Sequence, residues 1–301
     1  MPELPDIVIY LEALRTRVVG ERLQRIRLAS PFLLRSVHPP IQETHGKVVR
    51  DVRRLGKRIV FGLSDGLFLV LHLMVAGRLH WKAGRAGIPG RIGLAAFDFP
   101  SGTLLVTEAG SKKRASLYVV AGEAAIREHD PGGLEVLQAD PSAFQAVLTR
   151  ENHTLKRALT DPRLFSGIGN AYSDEILHRA RLSPARLTQD LSPDEVARLF
   201  QSVRGVLSEW LERRRRAAGD GFPEHVTAFH DQMAVHGRYG KPCPDCGSPV
   251  QRIVYAENET NYCARCQTGG RLLSDRMLSR LLKSDWPRTL EQLESTRASP
   301  S

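Results

Sequence analysis

Residues 243–266 read CPDCGSPVQRIVYAENETNYCARC and contain all four cysteines of the chain. The cysteines form two Cys-x2-Cys pairs, Cys243/Cys246 and Cys263/Cys266, and 16 residues separate Cys246 from Cys263. Four thiolates at this spacing can close a tetrahedron around one zinc ion, with one pair on each arm of a β-hairpin. Four protein ligands leave no position for water, so the zinc is predicted to be structural. We therefore predict a zinc ribbon; the alternatives are four unrelated reduced thiols or a redox pair.

The segment before the cysteines, from about residue 140 to 218, has a helical pattern. Ser192 is predicted to be a helix N-cap, with Pro193 at the first helical position and Glu195 completing a capping box. Apolar residues at helical spacing then predict one buried face: Val196, Leu199, Phe200, Val203, Leu207 and Trp210. The basic run 213–216 is interpreted as a solvated helix end that the macrodipole favours, and a DNA track is the alternative.

The first 120 residues predict a helix followed by short strands. Apolar residues recur at three- and four-residue spacing from Leu4 to Val18 and indicate an amphipathic helix. The runs 58–63 and 67–73 flank Ser64-Asp65-Gly66, a hairpin turn signal, and the runs 103–107 and 116–120 add two strands. The predicted fold class is a multidomain α+β protein: an N-terminal helix with an antiparallel β-sandwich, a helical domain and a C-terminal zinc ribbon.

The balance of charge favours a polyanionic partner. The 301 residues include 43 Lys and Arg against 33 Asp and Glu, a net charge of +10, and each cation that meets a phosphate releases condensed counterions. The alternative is a basic protein kept in solution by its charge. A hydrophobic content of 42% excludes wholesale disorder. No apolar run reaches membrane-spanning length and no signal peptide pattern precedes the first helix, so a cytoplasmic protein without membrane contact is expected.

Four further stretches occur in a defined order along the chain. The chain begins MPELPD, Gly56-Lys57-Arg58 precedes the first hairpin, and Leu71-His72-Leu73 lies on its second strand. Residues 155–177 read LKRALTDPRLFSGIGNAYSDEIL. With the cysteine pairs, these stretches resemble the formamidopyrimidine-DNA glycosylase / endonuclease VIII family of base-excision repair enzymes, from residue 1 to about residue 270. The resemblance implies a helix–two-turn–helix motif in 155–177 and damaged DNA as the partner.

The resemblance and the turn signals together predict four parts. These are a catalytic β-sandwich domain at 1–130, a helix–two-turn–helix DNA-binding domain at 140–235, the zinc finger at 236–270 and a C-terminal helix and tail at 271–301. Asp130-Pro131-Gly132-Gly133 is predicted to form a linker because it breaks regular structure.

The resemblance implies that Pro2 is the catalytic nucleophile once Met1 is removed. A terminal α-amino group has an ordinary pKa of about 7.7 to 8.0, so a neutral fraction exists near neutrality. Such an amine can attack C1′ of the damaged nucleotide, expel the base and leave an iminium, after which β-elimination cuts the strand. Glu3 can protonate the opening sugar ring. The alternative reading is an ordinary helix start with proline in the first turn.

Several residues are predicted to contact DNA. Lys57 resembles a hairpin lysine that assists catalysis by contacting a phosphate beside the lesion; the alternative is a solvated strand-end cation. Asn170 follows Gly167-Ile168-Gly169 and is predicted to be an N-cap, exposing backbone N–H groups to a phosphate. Lys156 matches a basic position ahead of this turn. His72 is a candidate phosphate contact or a packed core histidine.

Three positions depart from the family pattern. The methionine that fills the gap left by an everted base is replaced by Val75, with Met74 one position earlier; neighbouring strand residues face opposite sides. The Arg-Phe-Gly wedge is replaced by Lys113-Arg114-Ala115, so Arg114 is the candidate DNA contact there. At the zinc hairpin tip, where an arginine is usual, the candidate DNA contact is Asn258, which stands between Glu257 and Glu259.

We therefore predict a bifunctional DNA glycosylase and abasic-site lyase with one structural zinc. Its expected substrates are abasic or oxidised-base DNA and, because little eversion is needed, single strands or bubbles. A monomer associated with the nucleoid is expected. The alternatives are a non-catalytic binder of damaged or branched DNA and a binder of RNA or a ribosomal partner; neither needs a terminal secondary amine.

Overall fold

The computed structural model describes residues 1–224, 226, 230–255, 258–273 and 287–293, and the backbone alone of Tyr255 and Asn258. The chain divides into two compact units. The first comprises Met1–Gly133 with Ser208–Ala228, and the second comprises Leu134–Leu207 with Phe229–Ser301. The four-part division drawn from the sequence stays a prediction, and most of its C-terminal part, 274–286 and 294–301, lies outside the described residues.

The first unit contains a helix and two antiparallel sheets of four strands each. Helix α1 spans Leu4–Val18. The strands are β1 Arg25–Leu28, β2 Val49–Leu55, β3 Arg58–Leu63, β4 Leu67–His72, β5 Gly77–Ala83, β6 Gly93–Phe99, β7 Gly102–Glu108 and β8 Ser116–Ala121, and the short helix α2 spans Glu123–Arg127. One sheet has the order β1-β6-β7-β5 and the other β2-β3-β4-β8. The predicted sandwich behind an N-terminal helix is confirmed.

The hairpin β3–β4 forms as the turn signal predicts. Its register pairs Arg58 with His72, and β8 pairs on the other side of β4. Asp65 in the turn has φ 63°, a left-handed conformation that aspartate tolerates better than most residues. Every residue of Leu67–Leu71 is buried, as expected for a strand with both faces covered.

The second unit contains helices joined by loops, and the zinc ribbon follows them in the chain. Its helices are α3 Pro141–Thr149, α4 Leu155–Thr160, α5 Asn170–Arg179 and α6 Pro193–Ala218, whose last eleven residues, 208–218, belong to the first unit. The predicted capping box is present: the Glu195 amide lies 3.2 Å from Ser192 Oγ, and the Ser192 amide lies 2.9 Å from Glu195 Oε2. The rings of Phe165 and Phe200 lie 5.0 and 5.1 Å from that of Phe144 and form part of the core.

The zinc ribbon follows in the second unit. Strand β9 spans Gln251–Tyr255, strand β10 spans Asn258–Tyr262, and helix α7 spans Ala264–Thr268. The two strands pair antiparallel, with Asn258 opposite Tyr255 and Tyr262 opposite Gln251. Val235 and Val250 pack with the buried cysteines, so the ribbon has a small apolar core of its own. Among the described helices, none is long and apolar enough to cross a membrane.

Candidate active site and nucleic-acid interface

The two residues predicted to carry the chemistry lie immediately before helix α1. Pro2 is buried and precedes the helix, and Glu3, which is 1% exposed, is its N-cap. Glu3 and Asp6 form a capping box, in which the Glu3 amide donates to Asp6 Oδ2 at 3.0 Å. The alternative interpretation placed Pro2 in the first turn of the helix. The helix begins at Leu4, so Pro2 lies before that turn. The box fixes the backbone that carries both side chains.

Asp6 also forms a buried ion pair with Arg214. Arg214 Nη2 lies 2.6 Å from Asp6 Oδ1, and the two residues are 6% and 1% exposed. Burial raises the pKa of Asp6 to about 6, while the Arg214 charge and the Glu3 amide oppose that rise. The solvated reading of the basic run is therefore wrong at Arg214, because the end of α6 packs in the same unit as α1. Its neighbour Arg215 pairs with Glu12 on the α1 surface.

The surroundings of the chain terminus favour an uncharged amine. Burial lowers the pKa of the Met1 amino group, and the positive charges of Arg78 and Lys57 lower it further, against the Glu3 charge. Lys57 occupies the turn between β2 and β3 after Gly56, which has φ 59°. The structure thus brings Lys57 within electrostatic range of the terminus. Arg78 was not singled out from the sequence, where it is one of many arginines without a motif.

His72 lies at the end of β4 opposite Arg58. Burial, followed by the charges of Arg58 and Lys57, lowers its pKa to about 4. Within the described part of the chain, its Nε2 atom is buried without a hydrogen-bond partner. A neutral imidazole with an unused ring nitrogen can donate a hydrogen bond to a ligand or accept one from it, depending on its tautomer. It cannot supply a positive charge near neutral pH. Its role toward DNA stays a prediction.

Met74 and Val75 were expected in a strand and lie instead in the turn after His72. Strand β4 ends at His72, Met74 has φ 53°, and Val75 is 54% exposed. The strand-alternation argument for Met74 and Val75 is therefore wrong, because a left-handed residue breaks the alternation of side chains. Val75 projects from the turn into solvent in the first unit.

The loop carrying Arg114 is organised by a buried carboxylate. Glu108, 1% exposed, accepts hydrogen bonds from the Arg114 amide at 3.0 and 2.9 Å and from the Ala115 amide at 3.1 Å. Lys113 Nζ donates to the Glu108 carbonyl oxygen. The Arg114 residue itself is exposed. The backbone of this loop is thus fixed while an arginine is presented outward, as a candidate phosphate contact requires.

In the second unit, Lys156 and Asn170 meet at the start of α5. Lys156 Nζ lies 2.7 Å from the Asn170 carbonyl oxygen, 2.8 Å from Ser173 Oγ and 2.5 Å from Asp174 Oδ1. These three acceptors can use all three ammonium donors of Lys156. Asp174 is buried and was not singled out from the sequence. The DNA contact assigned to Lys156 stays a prediction.

Asn170 is the first residue of α5 and not its N-cap, which is Gly169 in extended backbone. The predicted capping role is corrected for a physical reason: the Asn170 side chain points to the ribbon, where Nδ2 donates to the Glu259 carbonyl oxygen at 2.7 Å. The helix N-terminus still offers backbone N–H groups. Asn258 begins β10, and its side chain lies outside the described residues.

The four cysteines have the geometry of a tetrahedral zinc site. Their sulfur atoms all lie within 4.8 Å of one another, with Cys243 Sγ 4.0 Å from Cys266 Sγ and Cys246 Sγ 3.4 Å from Cys263 Sγ. A tetrahedron with Zn–S distances of about 2.3 Å has edges of about 3.8 Å. The residues fit one structural zinc, as predicted.

Comparisons with known proteins agree with this geometry. Residues 1–168 match the formamidopyrimidine-DNA glycosylase N-terminal domain, 133–219 the formamidopyrimidine-DNA glycosylase H2TH domain, and 240–269 the zinc finger found in FPG and IleRS. The formamidopyrimidine-DNA glycosylase of Thermus thermophilus is 34% identical over 285 residues, covering 90% of this chain and 100% of the relative.

A second relative and a solved structure extend the similarity. The formamidopyrimidine-DNA glycosylase of Pelotomaculum thermopropionicum is 31% identical over 278 residues, covering 89% of this chain and 99% of the relative. The crystal structure of the MutM (Fpg) protein from Thermus thermophilus superposes with a TM-score of 0.75 at 32% identity, covering 88% of this chain and 98% of that one. The similarity thus extends over nearly the whole length of these proteins.

The low pKa of His72 predicts an acid-dependent loss of stability. The pKa is about 4 in the fold against 6.5 for the free side chain, so the unfolded chain binds the proton more tightly. Stability is therefore lost as the pH falls from about 6.5 to about 4, by roughly 3 kcal/mol from this group. We expect the stability difference between wild type and His72→Gln, from urea unfolding, to shift toward the variant over that range. A stability difference between wild type and His72→Gln that stays constant with pH would contradict the low pKa of His72.

Proposed function

The chain belongs to the formamidopyrimidine-DNA glycosylase family, and we propose that its base excision and abasic-site lyase reactions both use the Pro2 nitrogen. The observation that carries the proposal is the segment leading into α1, where buried Pro2 precedes buried Glu3. Burial lowers the pKa of the neighbouring Met1 amino group, and removal of Met1 would place the Pro2 amine at this end of the chain. Cleavage of the Met1–Pro2 bond turns the Pro2 nitrogen into a secondary amine. Such an amine is a nucleophile near neutral pH, whereas a lysine ordinarily is not.

The first step is displacement of the damaged base. The Pro2 nitrogen lone pair forms a bond to C1′, and the C1′–base bond breaks. The damaged base leaves with the electron pair of the broken bond and takes up a proton. The amine loses its proton, the C1′–O4′ bond opens with formation of the C1′=N iminium, and O4′ accepts a proton from the Glu3 carboxyl. Glu3 is suited to this role because its backbone is fixed by the capping box with Asp6.

The second step cuts the strand. The iminium withdraws electrons from C2′, so a C2′ proton can pass to a proton acceptor. The electron pair of the C2′–H bond then expels the 3′ phosphate oxygen by β-elimination. Hydrolysis of the iminium then returns the free Pro2 amine. No external oxidant or reductant is needed. Lys57, which acts electrostatically on the terminus, is proposed to hold the phosphate beside the lesion.

Further DNA contacts are proposed at Arg114, His72, Lys156, Asn170 and Asn258. The support is direct for Arg114, since this exposed residue belongs to a loop fixed by Glu108. It is indirect for Asn170, whose backbone opens a helix N-terminus, where phosphate oxygens are favoured. It is weakest for Lys156, whose ammonium group already has three protein acceptors.

The roles of Pro2 and Glu3 predict a split between the two reactions. An abasic site exists partly as an open aldehyde, so imine formation there depends less on protonation of the sugar ring than base excision does. We expect Glu3→Gln to slow excision of an oxidised base by about 100-fold or more and to slow borohydride trapping on abasic DNA much less. Both rates are measured on the same labelled oligonucleotides.

Glu12→Gln is the matched control, because Glu12 lies on the same helix but bonds Arg215 at the surface. We expect it to leave both rates within about twofold, as for a surface charge away from the reacting atoms. Equal loss of excision and trapping in Glu3→Gln would reject the acid role of Glu3. Full excision in Glu3→Gln would reject it as well.

We further propose a preference for substrates in which the lesion is already unpaired. Flipping a base from a duplex costs a few kcal/mol and is cheapest where pairing is absent. Here the turn after β4 presents the short side chain of Val75, 54% exposed, and residues 109–115 contain no aromatic residue. These groups are poor fillers for the space left by an everted base.

Excision rates on one lesion in three contexts test this preference. We expect single-strand and bubble substrates to react at least as fast as the matched duplex, and Val75→Met to raise the duplex rate selectively, since a longer side chain fills more of the gap. A clear duplex preference in the wild type would contradict the proposal. The monomeric state and the association with the nucleoid stay predictions.

A further inference from the structure

His178 reaches the zinc site from helix α5. It is 4% exposed, and its Nε2 atom lies 3.2 Å from Cys243 Sγ. The same nitrogen lies 3.9 Å from Asp245 Oδ2, beyond hydrogen-bond distance. The cysteine sulfur is therefore the nearer partner of this ring nitrogen. The sequence gives no motif for this contact, because His178 is 65 residues from Cys243.

The direction of the hydrogen bond follows from the state of the cysteine. A zinc-bound cysteine is a thiolate, which accepts hydrogen bonds and cannot donate them. The proton must therefore lie on His178 Nε2, which donates to Cys243 Sγ. Four thiolates around one divalent cation leave two excess negative charges, and Cys243 is 2% exposed. A buried N–H donor lowers the cost of that charge.

His178 is also the last of three polar residues on one face of α5 that contact the ribbon region. Asn170 Nδ2 donates to the Glu259 carbonyl oxygen at 2.7 Å, and Asp174 Oδ2 accepts from the Asn261 amide at 3.2 Å. Residues 170, 174 and 178 are four apart, so they share a helix face. The row runs from strand β10 to the first cysteine pair and ends at a metal ligand.

We propose that His178 is a positioning residue for the zinc site. It donates from Nε2 to the Cys243 thiolate, slows release of the metal and couples the zinc to helix α5. The outer-sphere donor selects one orientation of the thiolate and reduces its charge, as second-sphere partners of metal ligands commonly do.

The test uses the full-length zinc-loaded protein and measures the rate of zinc transfer to a chromophoric chelator. We expect His178→Phe, which keeps a ring but loses the donor, to release zinc about tenfold faster or more. His178→Gln keeps an N–H donor and is expected to release zinc at a rate closer to wild type. His153→Phe is the control, because His153 lies in the same unit and bonds Glu151 instead of a cysteine.

Two spectroscopic measurements separate a hydrogen bond from mere packing. In the cobalt-substituted protein, loss of the donor is expected to move the thiolate-to-metal charge-transfer band to lower energy in His178→Phe. In the cadmium-substituted wild type, a scalar coupling between the His178 Nε2 proton and the metal is expected, and this measurement requires no variant. Unchanged zinc release and an unchanged band in His178→Phe, or the absence of the coupling in wild type, would overturn the proposal.

Discussion

Asp6 places a carboxylate inside the first unit, and burying that charge is costly unless hydrogen-bond and ionic partners surround it. It has both: the Glu3 amide at 3.0 Å and the Arg214 guanidinium at 2.6 Å. Removing one member of such a pair typically costs about 3 to 5 kcal/mol, because the other charge is left buried. The first turn of α1 is therefore strongly determined. The proposed nucleophile and proton donor both lie at this turn, so their chemistry depends on the buried pair.

In the second unit, helix α5 likewise carries buried carboxylates with hydrogen-bond partners around them. The Glu175 carboxylate accepts hydrogen bonds from the backbone amides of Ala234, Val235 and His236 at 2.7 to 2.9 Å. Asp174 accepts from Lys156 and lies 2.8 Å from His236 Nδ1. The two acidic residues thus fix the segment that leads into the ribbon. Helix α5 thus begins at the proposed phosphate-binding turn, and near its other end His178 contacts Cys243, one of the four clustered cysteines.

How much the sequence predicts depends on the distance along the chain over which an interaction acts. The β3–β4 hairpin and the Ser192 capping box are set by residues within a few positions of one another, and both form as predicted. The zinc site is also predictable, since thiolate pairs have few other uses at this spacing. The Asp6–Arg214 pair joins residues that are 208 positions apart, and no local sequence pattern predicts it. The Glu3–Asp6 capping box was within reach of the sequence, because its two members are three residues apart.

The errors have the same physical basis. Arg214 looks like a solvated residue when only the helix dipole is considered, but packing of α6 against α1 buries it at 6% exposure. Asn170 has the right side chain for an N-cap, yet Gly169 occupies that position and the Asn170 side chain donates from Nδ2 to the Glu259 carbonyl oxygen. A strand conformation is predicted for Met74, but β4 ends at His72 and Met74 has φ 53° in the turn that follows. In each case a tertiary or turn constraint outweighs a local preference.

The most direct test of the central claim is the site of covalent attachment. The wild-type protein would be incubated with abasic DNA, reduced with borohydride, digested, and its DNA-linked peptide sequenced by mass spectrometry. We predict that the sugar is attached to the nitrogen of Pro2 at the amino terminus of the processed chain. Attachment at a lysine such as Lys57, or no adduct from protein that has lost Met1 and binds the DNA, would contradict it.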